Sequence, residues 1–308
     1  MSSMGPILDT RVGGLNLRNP VMTASGAFGY GEEFAPFVPL DRLGAVVVKG
    51  ISLKPRLGNP PPRTAETPCG MINAIGLENV GLERFLNEKL PYLRRFDVPV
   101  VVNILGEEPG EYVRLAEELD SAPGVSVIEL NVSCPNVRSG GMPFGQDPRM
   151  LASLVKAVRS ATSLPLWVKL TPLVTDIVMV GRAAEEEGAD AVCAGNTFPA
   201  MSMDVWKRKP KLAHGVGGLS GPAIRPIMVR LCWMLARRLT IPVIGIGGIM
   251  YAEDALEYIL AGACAVQVGT ANFVNPRVTL DIIEGIEDYM KQQGIFRLEA
   301  MIGAAAGE

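Results

Sequence analysis

The chain has 308 residues, 48% of them hydrophobic, which is enough to bury a sizeable core, and its 29 basic and 32 acidic residues leave a net charge of −3. No block of like charge points to nucleic acid or a membrane surface, and no apolar run approaches the roughly 18 residues that a membrane span needs. The opening MSSMGPILDTRVGG lacks the charged start and apolar stretch of a secretory signal, so a cytoplasmic protein is expected. The five cysteines, Cys69, Cys134, Cys193, Cys232 and Cys264, are odd in number and widely spaced. That argues against a disulfide framework and against a zinc or iron–sulfur site built from this chain alone. His214 is the only histidine and lies in a basic, glycine-rich stretch.

The first predicted element is a short hairpin, ILDTRVGGLNLRNP, turning at Gly13-Gly14. Eight short, β-branched apolar runs follow: NPVMTASG at 20–27, GAVVVKG at 44–50, PVVVNIL at 99–105, VIELNVSC at 127–134, LWVKL at 166–170, AVCAGN at 191–196, PVIGIGG at 242–248 and AVQVGT at 265–270. They are continuous rather than alternating, as expected of parallel strands covered on both faces. Helical stripes lie between them: Tyr112, Leu115, Ala116 and Leu119; Leu151, Leu154, Val155 and Val158; Ile177, Val180, Gly181 and Ala184; Ala252, Ala255, Leu256 and Ile259. Each set falls at i, i+3, i+4 and i+7, one apolar helix face. The strings GAVVV, GADAV and GACAV, starting at 44, 188 and 262, repeat a glycine followed by small residues entering a strand.

Eight strands alternating with helices predict a TIM (β/α)8 barrel, residues 1–308 forming one domain with the hairpin plugging its bottom. A doubly wound open sheet is the alternative; the strand number and the absence of a Gly-x-Gly-x-x-Gly opening count against it. The long segments 51–77, 135–147 and 197–220 each follow a strand and are expected at the C-terminal mouth, where barrel active sites lie. Segment 135–147 reads as a lid hinged at Gly140 and Gly141. Cys193, Cys232 and Cys264 read as core, Glu185–Glu187 as a solvated helix face, and Cys69 as a mouth-loop residue of open role.

Two sets of residues carry chemistry. Gly247, Gly248 and Gly269 end the last two strands, where absent side chains let backbone N–H groups approach a phosphate; tight turns are the bland alternative. This alone does not separate flavin mononucleotide (FMN) from a sugar phosphate. Lys49, Asn103, Asn131, Lys169 and Asn196 each close an apolar run, where a charge or amide is expensive to bury. Two lysines suit an electron-rich ring edge or a carboxylate, and asparagines suit a ring bearing both donors and acceptors. A Schiff-base aldolase using Lys169 is a rival reading. A non-catalytic binding barrel is another, though it has no need of five convergent polar strand ends.

TASGAFGYG (23–31), VVKG (47–50), GMINAIGLEN (70–79), NVSCPN (131–136), WVKL (167–170), GGLSGPAIRP (217–226), IGIGGI (244–249) and QVGTANF (267–273) together resemble class 1 dihydroorotate dehydrogenases, from about residue 7 to 290. ETPCGMINAIGLEN is more similar to the 1B catalytic subunits than to the 1A enzymes. The resemblance implies a barrel that oxidises (S)-dihydroorotate to orotate in de novo pyrimidine biosynthesis with FMN at its mouth. It implies FMN contacts from Ser25, Lys49, Gly50, Asn103, Asn131, Lys169, Gly195, Gly221, Gly247, Gly248, Gly269 and Thr270. Substrate contacts are implied for Lys49, Asn73, Ala74, Ile75, Gly76, Leu77, Asn131, Asn196 and Thr197.

Cys134 becomes the expected base for the C5 proton, with the C6 hydride passing to FMN and Pro135 stiffening the chain behind it; by position alone a free cysteine reads as core. In the 1B family electrons leave through a partner subunit carrying FAD and a 2Fe–2S cluster to NAD+, in a heterotetramer built on a dimer of catalytic subunits. The 1A alternative is a homodimer that uses fumarate.

Overall fold

A computed structural model describes residues 5–133 and 144–305. Cys134, Pro135, Asn136 and the expected hinges Gly140 and Gly141 lie outside the described residues.

Each of the eight apolar runs contains one strand of a parallel sheet: β1 (Val21–Thr23), β2 (Val46–Val47), β3 (Val100–Ile104), β4 (Val127–Asn131), β5 (Leu166–Lys169), β6 (Ala191–Ala194), β7 (Val243–Ile246) and β8 (Ala265–Val268), in spatial order β1-β8-β7-β6-β5-β4-β3-β2. The ring closes at a seam between β1 and β2. There Met22 bridges Ala45, Val47 N donates to Thr23 Oγ1 at 2.9 Å, and that hydroxyl donates to Val47 O at 3.2 Å. A side chain thus stands in for part of a backbone ladder.

The expected helix stripes lie within α1 (Pro109–Asp120), α2 (Pro148–Arg159), α3 (Ile177–Glu186) and α5 (Ala252–Leu260); α4 (Arg225–Ala236) and α6 (Val278–Gln293) complete the set, and a helical segment at 81–93 joins β2 to β3. Local signals set their ends. Pro109 begins α1, Asp147 accepts from Arg149 N (2.8 Å) and Met150 N (3.0 Å) at the start of α2, and Gly294, at φ 67°, ends α6 in the left-handed region. Glu185, read as part of a solvated face, also ties α3 to the segment entering β7 by accepting from Thr240 N (2.6 Å) and Ile241 N (3.1 Å). Among the described residues no helix is long and apolar enough to cross a membrane.

Strand parity divides the core in two. Val100, Val102, Ile128, Leu130, Leu166 and Val168 point outward into the cluster that holds the helix stripes. Val101, Val127, Trp167, Ala191, Ile244 and Ala265 point inward and pack with Val12 and Leu17 of the N-terminal hairpin (Thr10–Val12 with Leu15–Leu17). The hairpin therefore plugs the bottom of the barrel, as expected. Two residues further along the inward faces, Asn103, Glu129, Lys169 and Gln267 form a buried polar layer.

The mouth segments are not plain loops. Thr64–Thr67, Gly70–Asn73, Gly217–Ser220 and Phe198–Ala200 form a four-stranded antiparallel sheet over the barrel rim. Its strands are short and rich in glycine and polar residues, so no alternating pattern announces them.

Leu17, 1% exposed, anchors the plug. Leu17→Ala is expected to destabilise the protein by about 2–5 kcal/mol, the usual range for a buried leucine truncation. Denaturant unfolding of the two proteins measures this; a loss within error of zero removes the plug from the core.

Candidate active site

The C-terminal ends of the strands open into one cavity of about 1080 Å³. Every described residue expected to bind cofactor or substrate lines it. Ser25 follows β1, Lys49 and Gly50 follow β2, Asn103 lies in β3, Asn131 ends β4, Lys169 ends β5, and Gly195, Asn196 and Thr197 follow β6. Gly247 and Gly248 follow β7, Gly269 and Thr270 follow β8, and Gly221 follows the mouth strand Gly217–Ser220. Asn73 through Leu77 form the opposite wall. The volume lies at the upper end for small-ligand sites and holds a cofactor of nucleotide size together with a small substrate.

On the floor, Lys169 Nζ donates to Ser25 Oγ at 2.9 Å and stands 3.8 Å from Glu129 Oε1. Glu129 is fully buried and surrounded by donors. Asn103 Nδ2 donates to it at 2.6 Å, the Cys193 thiol at 3.2 Å, and Gln267 Nε2 as well. Burial first, then the Glu129 charge, pushes the Cys193 thiol well above its usual range, so it stays a donor. Cys193 is buried as expected, yet it belongs to this polar set rather than to purely apolar packing. Glu129 itself escapes a reading of strand ends because it sits inside VIELN. The available signal is parity: Glu129 and Asn131 share one face of β4.

On the opposite wall, Lys49 Nζ is 3.8 Å from Glu78 Oε2, and Arg63 also pairs with Glu78. Two cations against one carboxylate leave this side favourable to an anionic ligand. Arg63, Glu78 and Ser133 line the cavity and were not anticipated from the strand ends. Asn196 Nδ2 donates to Ser133 Oγ (3.0 Å) and Asn131 Oδ1 (3.4 Å), which joins the ends of β4 and β6. Leu77 holds φ 57°, unusual for a branched residue, and Asn79 Nδ2 donates to its carbonyl at 2.9 Å. The wall is thus braced in a conformation the chain does not adopt by default.

The glycine end separates turn requirements from ligand space. Gly247 (φ 122°) and Gly248 (φ 72°) need glycine for the backbone itself, and a Cβ would meet Met228 at 2.8 Å and Arg225 at 2.7 Å. Gly269 has no positive φ, and its nearest neighbour to an added Cβ is Ala24 Cβ at 3.4 Å, ordinary contact. The backbone and its packing do not demand glycine at 269, which lines the cavity. The loop after β7 is fixed from behind. Asp254, 5% exposed, accepts from Met250 N at 2.8 Å and Tyr251 N at 3.0 Å and pairs with Arg225. Tyr258 donates to Gly247 O at 2.6 Å, and burial pushes its phenol up. Among the described residues no group of three or more His, Cys, Asp or Glu side chains could hold a metal ion.

Asp254→Ala is expected to lower stability by about 2–3 kcal/mol, since charged hydrogen bonds to two backbone N–H groups are lost. Hydrogen exchange should rise first at Met250 and Tyr251; unchanged protection there removes Asp254 from the loop's support.

A family model described as dihydroorotate dehydrogenase matches residues 7–290. Among similar proteins, one from Trichlorobacter lovleyi is 54% identical over 304 residues, covering 99% of this chain and 100% of its own length. One from Geotalea daltonii is 53% identical, covering 97% of this chain and 98% of its own, and one from Geobacter sulfurreducens is 54% identical with the same coverage. All three are named dihydroorotate dehydrogenase B (NAD(+)), catalytic subunit. With the barrel, the convergent lysines and asparagines and the glycine-lined mouth, these similarities lead to one conclusion: the chain belongs to the dihydroorotate dehydrogenase family.

Proposed function

We propose that this chain oxidises (S)-dihydroorotate to orotate in pyrimidine biosynthesis, as the FMN-bearing catalytic subunit of an NAD+-linked enzyme. The observation that carries the reading is the meeting of Lys49, Lys169, Asn103, Asn131 and Asn196 in one cavity with Gly269, a glycine that its own backbone does not require. The names of the similar proteins support the reaction and the final acceptor.

FMN fits this set of residues. Gly247, Gly248, Gly269 and Thr270 would hold its phosphate, with Gly221 and Gly195 beside them. Ser25, Lys49, Gly50, Asn103, Asn131 and Lys169 would hold its ring. Bound FMN supplies the acceptor for the hydride leaving C6 of the substrate. The chain does the rest. Lys49 neutralises the substrate carboxylate, with Glu78 yielding its place. Asn73, Asn131 and Asn196 pair with ring amides and carbonyls, and the 74–77 wall with Thr197 sets the ring plane. Lys169 places positive charge against the pyrimidine edge of the flavin. Cys134, outside the described residues, lies three positions after Asn131 and takes the C5 proton. Electrons then leave through a partner subunit carrying FAD and a 2Fe–2S cluster, in a heterotetramer built on a dimer of this chain in the cytoplasm.

The purified chain should show flavin absorbance that bleaches when dihydroorotate is added anaerobically. A colourless, correctly folded protein, or unbleached bands, overturns the reading. Cys134→Ala should remain yellow while flavin reduction by dihydroorotate slows about 100-fold or more, within the range of a lost general base. A rate near that of the unaltered chain sinks the cysteine assignment. NAD+ reduction should require an added partner subunit; fumarate reduction by the chain alone would instead place it with the 1A enzymes.

A further inference from the structure

The polar layer below the cavity is larger than ligand binding explains. The layer beneath it holds no charged or amide side chain: Val101, Val127, Trp167, Ala191 and Ala265. The same strands one step further carry Asn103, Glu129, Lys169, Cys193 and Gln267, and all four of the others turn their donors to the Glu129 carboxylate. A fully buried carboxylate is expensive, and packing alone is served as well or better by apolar side chains of similar volume. Something other than filling the barrel accounts for a charge here.

The geometry identifies what Glu129 acts on. Asn103, Cys193 and Gln267 are neutral donors that satisfy the carboxylate. Lys169 is the one cation in the set and lines the cavity floor, with its side chain 5% exposed. An ammonium has three donors, and one goes to Ser25 Oγ. Glu129 lies 3.8 Å away, too far to hold that head in a tight hydrogen bond but near enough to offset its charge strongly in a buried site. The pair leaves the ammonium available to whatever fills the cavity above it.

We propose that Glu129 is a positioning residue for Lys169, keeping this ammonium aimed into the cavity while offsetting its charge, and so limiting how strongly the bound flavin favours its reduced form. The inference rests on the flavin reading given above. The charged and titratable groups around the pair are Glu129 and Lys169 themselves and the Cys193 thiol; Ser25, Asn103 and Gln267 complete the shell. Oxidised flavin is neutral at its ring and the reduced form is readily anionic, so the net charge below it biases the couple. With both charges present the pair is nearly neutral. Removing the Glu129 charge alone makes the floor positive, and removing Lys169 alone makes it negative.

Glu129→Gln keeps the volume and an acceptor oxygen. In the apoprotein carrying lysine labelled with carbon-13 at the ε position, the Lys169 Cε signal should shift and broaden relative to the unaltered chain, because the ammonium loses its fixed position. In the FMN-loaded protein the balance should shift at least tenfold towards reduced flavin, about 30 mV for a two-electron couple. Lys169→Met should shift it the opposite way. An unchanged Lys169 signal and an unchanged flavin potential, with only a lower melting temperature, would overturn the proposal. The NMR comparison needs no flavin, so it decides the Glu129–Lys169 contact even if the chain takes no FMN. If Glu129→Gln does not fold, Glu129→Gln with Lys169→Met decides: recovery of the folded protein supports the coupling. Failure of that double variant as well would show that Glu129 serves the fold and not Lys169.

Discussion

A carboxylate cut off from water must be satisfied wholly by protein, and Glu129 is satisfied by side chains from β3, β5, β6 and β8. Those strands must therefore hold one register relative to β4. The observed pairing meets that need: Asn103 stands opposite Glu129 across β3 and β4, and Cys193 opposite Lys169 across β5 and β6. A slip of one residue on any of them would turn its polar group outward among the helix stripes and bring an apolar residue in. The apolar layer below is less demanding, since hydrophobic side chains of suitable size replace one another there at small cost. Register in this barrel is thus guarded most strictly just under the cavity, and the residues above it inherit their positions from that layer.

The barrel strands were readable in the sequence because burial on both faces removes polar residues from the run, leaving segments such as VVVNI and LWVK. The helices were readable because only one face is buried, which writes a period into Leu151, Leu154, Val155 and Val158. The mouth sheet was hidden for the converse reason. Thr64–Thr67 and Gly217–Ser220 are half exposed and contain no fully buried residue, so their pairing follows from the barrel ends that carry them rather than from pattern. Glu129 was hidden because a strand was read as a run instead of two faces; Asn131, on the same face, was found only because it comes last.

The glycines show how one residue type can carry two messages. Gly247 and Gly248 answer a backbone need, since positive φ and the packing of Met228 and Arg225 exclude a side chain with or without a ligand. Gly195 is the same case, at φ 121° with Met228 against it. Gly269 answers no such need, and under the proposed function its bare main chain is where a ligand would come close. The motif groups these glycines at one end of the barrel, and the geometry separates the backbone need at 195, 247 and 248 from its absence at 269.

The seam between β1 and β2 has a consequence for how the site responds to being filled. Across it the strands are joined by the Met22–Ala45 bridge and by the Thr23 hydroxyl, where other neighbours share a longer backbone ladder. Ser25 stands just past one side of this gap and Lys49 just past the other, and both face the cavity. A molecule that touches both spans the gap and acts as a further rung. Because ligand binding stabilises the state that binds, the gain should be concentrated where the ring is least tied by its own backbone. A ligand seated in this way would also mend the barrel wall, and the integrity of the scaffold would then be linked to the presence of its cargo.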